Sequence, residues 1–229
     1  DRKILAKRIK TLLDQYGVPE FLNKRDAFLF KMYQAFGHHF DFIAIPIIKK
    51  RLRMDTSQVI INEERPQLTK HLATRFKEKI GQNVNLLGEV VLGNGEADHR
   101  YHHYLEALES PDINYISVKI SGIYAQTHAL NYEESFPELV SRMSALYQKA
   151  IDFPYTDEDG IKRSKFINLD MEEYKDAHFT LRLFKAVLNL PQFKNYSAGI
   201  VVQAYLPDAY DFQTELLEFA KARVDGGGA

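Results

Sequence analysis

Charged and amide side chains lie inside, or at the ends of, four short apolar runs of this sequence. They are Glu89 in "LLGEVVL", Lys119 in "YISVKIS", Asp170 in "FINLD" and Gln203 in "GIVVQAY". Burying a single charge is unfavourable by several kcal/mol unless the charge is paired. Two interpretations follow. The groups bind a polar ligand, or they form a buried ion-pair network in which Lys119 neutralises Asp170 or Glu89.

The four runs have the composition of buried parallel strands. They cover residues 86–92, 115–121, 166–170 and 199–205. The helix-type patterns that follow them cover residues 95–109, 134–151, 172–190 and 209–224. Strands that alternate with helices indicate a parallel sheet joined by crossover connections. The sequence therefore predicts an α/β fold, either an open doubly wound sheet or a (β/α) barrel.

In either architecture, the polar residues at the strand ends lie where a ligand would bind. In both, ligands bind at the carboxyl ends of the parallel strands. Phe166, Asn168 and Asp170 alternate along "FINLD", so one side of this strand becomes polar toward its end. Asp170 is therefore predicted to face a ligand site. The alternative is that Asp170 caps a helix that begins at Glu172.

The first third of the chain has a different pattern from the rest. Residues 1–80 show apolar residues at helical spacing, and no run among them has a confident strand pattern. The sequence thus predicts a helical region over 1–80 and an α/β region over 81–229. Within the latter, the long connection 122–165 contains "DFPYTDEDGIKRSK", which is predicted to be an exposed loop.

Composition excludes several classes of site. The 229 residues are 45% hydrophobic, carry a formal net charge of −1 and include no cysteine. Disulfides, thiolate metal sites and a cysteine nucleophile are therefore absent, and no excess of basic charge indicates nucleic-acid binding. The longest apolar run, 40–48, is too short to span a membrane. We expect a soluble cytoplasmic protein.

Two further motifs are interpreted as surface features. His99 and His103 lie four residues apart on a predicted helix, a spacing that zinc can use, but no HExxH pattern is present. We expect an exposed helix there and no metal. The basic run "KKRLR" at 49–53 is expected to be a solvated face. The alternative for this run is contact with an anionic membrane or a nucleic acid.

The four strand motifs also resemble a known family. "NLLGEVVLGNGEA", "YISVKIS", "KFINLDMEEYKD" and "AGIVVQAYLPD" are similar, in order and spacing, to the first four barrel strands of the proline dehydrogenase family in its bifunctional bacterial form. The resemblance implies the first four units of a (β/α)8 TIM-like barrel, preceded by a helical arm and α-domain. Since four units do not close an eight-stranded barrel, we expect an incomplete part of a longer protein that binds FAD weakly or not at all by itself.

The resemblance implies an activity and its partners. Family members oxidise L-proline to 1-pyrroline-5-carboxylate with FAD and pass the electrons to a membrane quinone. In the bifunctional form, a second domain that uses NAD then makes glutamate. We therefore expect a cytoplasmic enzyme, peripheral at the inner membrane, that can form a homo-oligomer.

Five site residues follow from the resemblance. Lys119 resembles the lysine that holds the substrate carboxylate, and Asp170 resembles the active-site aspartate. Glu89 resembles the carboxylate that pairs with a substrate-binding arginine when the site is empty. Met171 matches a position against FAD, and Gln203 resembles a glutamine that forms a hydrogen bond with the flavin.

One residue departs from the family pattern, and two rival functions stay open. Asn85 stands where some family members have an acidic residue. The first rival is another flavin or phosphate-binding barrel enzyme, for example of the folate-reductase type. The charge pattern of Lys119 and Asp170 favours a substrate like proline over that rival. The second rival is a non-catalytic module whose half-barrel serves only for assembly.

Overall fold

The chain folds into two compact units. The computed structural model describes residues 2–37, 41–57, 60–61, 65–86, 91, 93–125 and 131–229. The units are Asp1–Leu68 and Thr69–Ala229, and they divide within helix α4 (Arg65–Lys77). The predicted limits 1–80 and 81–229 place the division just after this helix, and they stay a prediction about domains.

In the described part of the first unit, three helices that precede α4 surround a small apolar core. They are α1 (Arg2–Tyr16), α2 (Lys24–Phe36) and α3 (Asp41–Thr56). Ala6, Leu13, Tyr33 and Ile45 form the buried cluster, and the Tyr33 hydroxyl donates to the Ala6 carbonyl oxygen at 3.0 Å. The regular elements that the structure describes within residues 1–80 are helices, joined by turns, as the apolar spacing predicted.

The basic run at 49–53 lies on the exposed surface of α3. Arg51 within it forms ion pairs with Asp26 at 3.3 Å and with Asp55 at 3.2 Å. Both partners are acidic residues of the same unit, so part of the basic charge is neutralised locally. This arrangement is that of a solvated, ion-paired face.

The second unit is built on a four-stranded parallel sheet. Its strands are β1 (Val84–Asn85), β2 (Tyr115–Lys119), β5 (Phe166–Asp170) and β6 (Gly199–Ile200). They lie side by side in the order β1, β2, β5, β6, so each parallel strand pairs with the next one in the chain. A doubly wound sheet reverses its strand order at a switch point, whereas a barrel does not. The α/β prediction is confirmed, and the strand order is that of a barrel.

Helices cover one face of this sheet. They are α5 (Asn94–Glu109), the short α6 (Ile120–Ile123), α7 (Tyr132–Asp152), α8 (Ala177–Leu188) and α9 (Ala209–Asp225). The strand residues that point toward this face, Ile116, Val118, Ile167 and Leu169, are at most 1% exposed. Helix α5 contacts β2, and α7 contacts β5. The hydrophobic core of the unit therefore lies between the sheet and these helices, which leaves the opposite face for polar side chains.

The second and fourth parallel strands are shorter than predicted. Residues 120 and 121 belong to α6, and β6 covers only Gly199–Ile200 of the predicted run 199–205. The reason is the length of β5, which pairs with both. Lys119 lies opposite Asp170, the last residue of β5, and the amide of Val201 donates the final hydrogen bond to Leu169. Beyond these positions the structure describes no partner strand for the two neighbouring segments.

The third predicted helix begins later than expected, at Ala177 rather than at residue 172. Met171 points into the core and Glu172 points to the opposite side, toward Lys119, as in extended chain. A 3-10 turn over Tyr174–Asp176 then leads into α8. Asp170 therefore lies well before the helix, and the alternative that it caps a helix starting at Glu172 is wrong.

The predicted loop in connection 122–165 is a small antiparallel hairpin. It consists of β3 (Tyr155–Thr156) and β4 (Lys162–Arg163). The Asp157 carboxylate accepts the amides of Asp159 and Ile161 at 3.0 and 2.8 Å, and Gly160 adopts a φ of 78° in the turn. The hairpin is exposed as predicted, but its local hydrogen bonds give it regular structure.

Candidate active site

The sheet face that the helices leave free carries three rows of side chains. The register pairs of β2 and β5 on this face are Tyr115 with Phe166, Ser117 with Asn168, and Lys119 with Asp170. The aromatic pair comes first along the strands, with an edge-to-face arrangement and ring centroids 5.0 Å apart. The charged pair comes last, at the carboxyl ends. Ligands bind at this end of parallel sheets.

The middle row extends across all four strands. Asn85 of β1 lies opposite Ser117, and Gly199 of β6 lies opposite Asn168. The Asn83 side-chain amide donates to the Ser117 hydroxyl at 2.8 Å. A Cβ atom on Gly199 would lie 2.6 Å from the Asn168 amide oxygen, so only glycine leaves room for that side chain. The middle row therefore fixes the Asn168 side-chain amide next to Lys119 and Asp170, one row earlier along the strands.

Two amides hold the carboxylate of Asp170. Asn168 donates to one carboxylate oxygen at 3.0 Å, and Asn85 donates to the other at 3.2 Å. Both donors are neutral, so they orient the carboxylate without cancelling its charge. Asn85, which departs from the family pattern, thus contributes directly to the position of Asp170.

The Lys119 ammonium pairs with Glu172. Its nitrogen lies 3.4 Å from a Glu172 carboxylate oxygen, and the two side chains are 29% and 32% exposed. The other carboxylate oxygen of Glu172 accepts a hydrogen bond from the Ser121 hydroxyl. The sequence interpretation considered Asp170 and Glu89 as partners of Lys119, and it did not consider Glu172.

Gln203 lies in the chain that follows β6 rather than on a strand. Its side-chain amide donates to the main-chain oxygen of Glu172 at 3.1 Å. Glu172, which follows β5, therefore links the ends of three neighbouring strands, because its carboxylate contacts Lys119 and Ser121 at the end of β2 and its main chain contacts the segment after β6. The structure thus brings Lys119, Asp170 and Gln203 to the same end of the sheet. Glu89 lies outside the described residues.

The sequence profile of the family described as Proline dehydrogenase matches residues 68–227. This chain belongs to the proline dehydrogenase family. No curated protein matches its sequence.

Solved structures of proline utilization A are similar to this proline dehydrogenase family member. The structure from Corynebacterium freiburgense is 33% identical over 100% of the chain, with a TM-score of 0.69. The structure from Bdellovibrio bacteriovorus, inactivated by N-propargylglycine, is 26% identical over 97% of the chain, with a TM-score of 0.67. The chain covers 20% and 24% of those two proteins, respectively.

The two residues predicted to contact a flavin occupy different environments in this family member. Gln203 is half-buried at the end of the sheet, and its amide oxygen can accept a hydrogen bond from a flavin ring N–H. Met171 is 5% exposed and packs in an apolar cluster with Ala177, Leu181 and Phe212. The side-chain amide of Gln203 has both a hydrogen-bond donor and an acceptor, and these fit the polar edge of a flavin. The contact of Met171 with a cofactor stays a prediction.

Tyr104 supports the site from the covering helices. It is buried in α5, and its hydroxyl lies close to the main chain of Lys119. Burial raises the pKa of this hydroxyl to about 12, so the side chain stays neutral over the physiological range. A Cβ atom on Gly122 would lie 3.1 Å from the same hydroxyl oxygen. Tyr104 therefore anchors the end of β2 where Lys119 projects.

Sequence reasoning missed four residues of this site in the proline dehydrogenase family member. They are Tyr104, Ser121, Asn168 and Glu172. Asn168 had a signal, since it is the polar residue before Asp170 on the same side of the strand. The sequence pattern was misleading for Glu172, because the doublet "EE" was interpreted as the first turn of the helix predicted over 172–190. Ser121 and Tyr104 had none, since their contacts depend on the paths of other elements.

A large apolar groove of about 740 Å³ lies elsewhere in this unit, beside β6 and α9. Its lining includes Ile200, Val202, Leu216 and Tyr210. The charged pair at the strand ends is not part of this lining. The candidate active site around Lys119 and Asp170 and this groove are therefore distinct surfaces.

Proposed function

We propose that this family member oxidises L-proline to 1-pyrroline-5-carboxylate with FAD as cofactor. The observation that carries the proposal is that Lys119 and Asp170 lie opposite each other at the carboxyl ends of two adjacent parallel strands. The family match over residues 68–227 supports it, because proline is the substrate in the name of that family. The likeness to proline utilization A structures supports it as well.

Each residue of the proposed site has a task that suits its chemistry. Proline is a small zwitterion, and the Lys119 ammonium binds its carboxylate by a charge-assisted hydrogen bond. Hydride can leave the carbon beside the ring nitrogen only after that nitrogen has lost its extra proton. Asp170, oriented by two amides, arranges the cationic groups around the ring and thereby tunes this step. In the proposal, Glu89 pairs with a substrate-binding arginine while the site is empty.

In the proposal, FAD binds beside these residues. FAD, when bound, accepts the hydride and so supplies the redox chemistry that no side chain can provide. Gln203 accepts or donates a hydrogen bond at the polar edge of the flavin ring. Met171 backs the site from the apolar cluster below it.

The proposal includes the partners that the family resemblance implies. Electrons pass to a membrane quinone, and the protein is cytoplasmic and peripheral at the inner membrane. NAD serves a second domain of the bifunctional form, and the protein forms a homo-oligomer. No nucleic-acid partner is proposed. Within the described ranges, no helix has the length and apolarity needed to cross a bilayer.

Flavin bleaching tests the proposed function. The protein that carries this sequence is supplied with FAD, and L-proline is added without oxygen while flavin absorbance is recorded. We expect bleaching and the appearance of 1-pyrroline-5-carboxylate, detected with o-aminobenzaldehyde. If dithionite bleaches the bound flavin but L-proline leaves it unchanged, the proposal is wrong. A protein that holds no flavin at all contradicts the cofactor part.

A further inference from the structure

The only ion pair that the described residues give to Lys119 joins it to Glu172, at the mouth of the site. The two charged atoms are 3.4 Å apart, and both side chains are about one-third exposed. We propose that Glu172 is the internal counter-ion of Lys119 and holds, in the unliganded protein, the place that a ligand carboxylate takes. This inference rests on the substrate-binding role of Lys119 in the proposed function.

Glu172 stays beside Lys119 through contacts that do not involve the lysine. Its second carboxylate oxygen accepts from Ser121, and its main-chain oxygen accepts from Gln203. Glu172 is therefore held at two strand ends, its carboxylate by Ser121 and its main chain by Gln203. The lysine has a flexible four-carbon side chain and a compact charge, so the lysine is the mobile partner of the pair.

Asp170 does not take this role, although it lies directly opposite Lys119. Both of its oxygens accept hydrogen bonds from neutral amides, those of Asn168 and Asn85. Its carboxylate is thus oriented by the middle row, whereas Glu172 neutralises the cation. The two acidic residues at this end of the sheet have separate tasks.

The charge of Glu172 weakens ligand binding under this proposal. A ligand carboxylate that reaches Lys119 must approach the Glu172 carboxylate, and like charges a few ångströms apart repel. The ligand must also replace an existing partner of the ammonium. The opposite role, in which Glu172 merely positions Lys119 for the ligand, predicts that loss of Glu172 weakens binding. The sign of the change therefore separates the two roles.

Protection of Lys119 from an amine-reactive reagent measures both the pair and the ligand. Labelling of Lys119 is followed by peptide mass spectrometry in the wild type and in Glu172→Gln, a variant that keeps an acceptor for Ser121. We expect faster labelling of Lys119 in the variant, because its ammonium has lost its counter-ion. We also expect half-protection at an L-proline concentration about three- to tenfold lower than in the wild type.

Glu173→Gln is the matched control. Glu173 is the next residue, it is exposed, and it pairs with Lys175 at 2.7 Å. This variant changes the net charge by the same amount, one residue further along the chain. We expect wild-type labelling of Lys119 and an unchanged half-protection concentration. An equal shift in both variants would overturn the proposal, since it would reflect overall charge alone.

A second variant and a second ligand probe complete the test. Glu172→Ala must shift L-proline protection in the same direction as Glu172→Gln, and an unchanged or higher half-protection concentration in either variant overturns the counter-ion role. Acetate is used as a second probe in the wild type and in Glu172→Gln. If L-proline protects no better than acetate, the proposed function fails, while the shift for acetate still decides the role of Glu172.

Discussion

Lys119 and Asp170 lie directly opposite each other at the ends of β2 and β5, yet their charges are held by different partners. The ammonium of Lys119 lies 3.4 Å from Glu172, and the carboxylate of Asp170 accepts two amide hydrogen bonds at 3.0 and 3.2 Å. Removing one charge therefore does not leave the other without its partner. The contributions of the two residues to substrate binding and to turnover can be measured separately.

Loss of the Lys119 ammonium should weaken proline binding. In Lys119→Ala we expect KM for L-proline to rise by the equivalent of roughly 1–3 kcal/mol, the range for a hydrogen bond to a charged group. FAD content should stay near that of the wild type. Steady-state kinetics and flavin absorbance measure the two quantities. Lys221→Ala, which removes an exposed lysine of α9, is the control, and an unchanged KM in Lys119→Ala would reject the substrate role.

Neutralising Asp170 should reduce turnover. Asp170→Asn keeps the size of the side chain and loses one of two amide hydrogen bonds, so we expect a loss of at most about 1 kcal/mol in unfolding free energy. Turnover of L-proline should fall by about an order of magnitude or more. Stopped-flow flavin reduction and thermal melting test this pair of expectations. Asp225→Asn, at the exposed end of α9, serves as control, and wild-type turnover in Asp170→Asn would show that Asp170 is not catalytic.

A methyl group at Gly199 should disturb the middle row. Its Cβ atom would lie 2.6 Å from the Asn168 amide oxygen and 2.9 Å from the Phe166 ring. We expect Gly199→Ala to lower the free energy of unfolding by about 1–3 kcal/mol, as overpacking does, in a denaturant titration. Gly81→Ala is the matched control, because no atom lies within 4 Å of a Cβ there. Equal effects of the two substitutions would contradict this description of the row.

A buried lysine should make stability depend on pH. The Lys165 side chain is 1% exposed and donates to the Ser110 carbonyl oxygen, and burial lowers its pKa to about 8. The nearby Asp112 carboxylate opposes this lowering. The folded protein therefore releases the proton at a lower pH than the unfolded chain, whose lysine has a pKa of about 10.4.

The sign of the pH effect follows from these two pKa values. Between pH 8 and about 10.4 the unfolded chain binds more protons, so the Lys165 contribution to stability rises with pH in this window. Below pH 8 its unfavourable effect is fully present. Denaturant titrations of wild type and Lys165→Met should diverge across the window, with the wild type gaining relative to the variant. Parallel pH curves would contradict the buried, perturbed ammonium, and Lys221→Met is the exposed control.

The strand β5 could be predicted residue by residue, whereas its neighbours could not. Apolar and polar side chains alternate along Phe166–Asp170, and both flanks change pattern sharply. In 115–121 and 199–205 the β-branched residues continue past the last hydrogen bond. The ends of those strands are set by where β5 ends, and this is a property of another segment. Local pattern therefore predicted the strands but overestimated their lengths.

Site residues that lie on a predicted strand could be found from the sequence. Site residues that are defined only by a contact with another segment could not. Lys119 and Asp170 follow from the inward side of strands that end together. The contact of Lys119 with Glu172 depends on the extended path of Met171–Glu173, which the helical pattern of that segment concealed. The role of Asn85 could not be inferred either, because the residue that it contacts is far away in sequence.

The order of the parallel strands has a consequence for synthesis on the ribosome. Each parallel strand after β1 pairs with the parallel strand immediately before it in the chain, and among the described strands the β3–β4 hairpin is the one pair that lies between two of them. When β2, β5 or β6 emerges, its partner has therefore already been made. The four described parallel strands can therefore pair one at a time in the direction of translation.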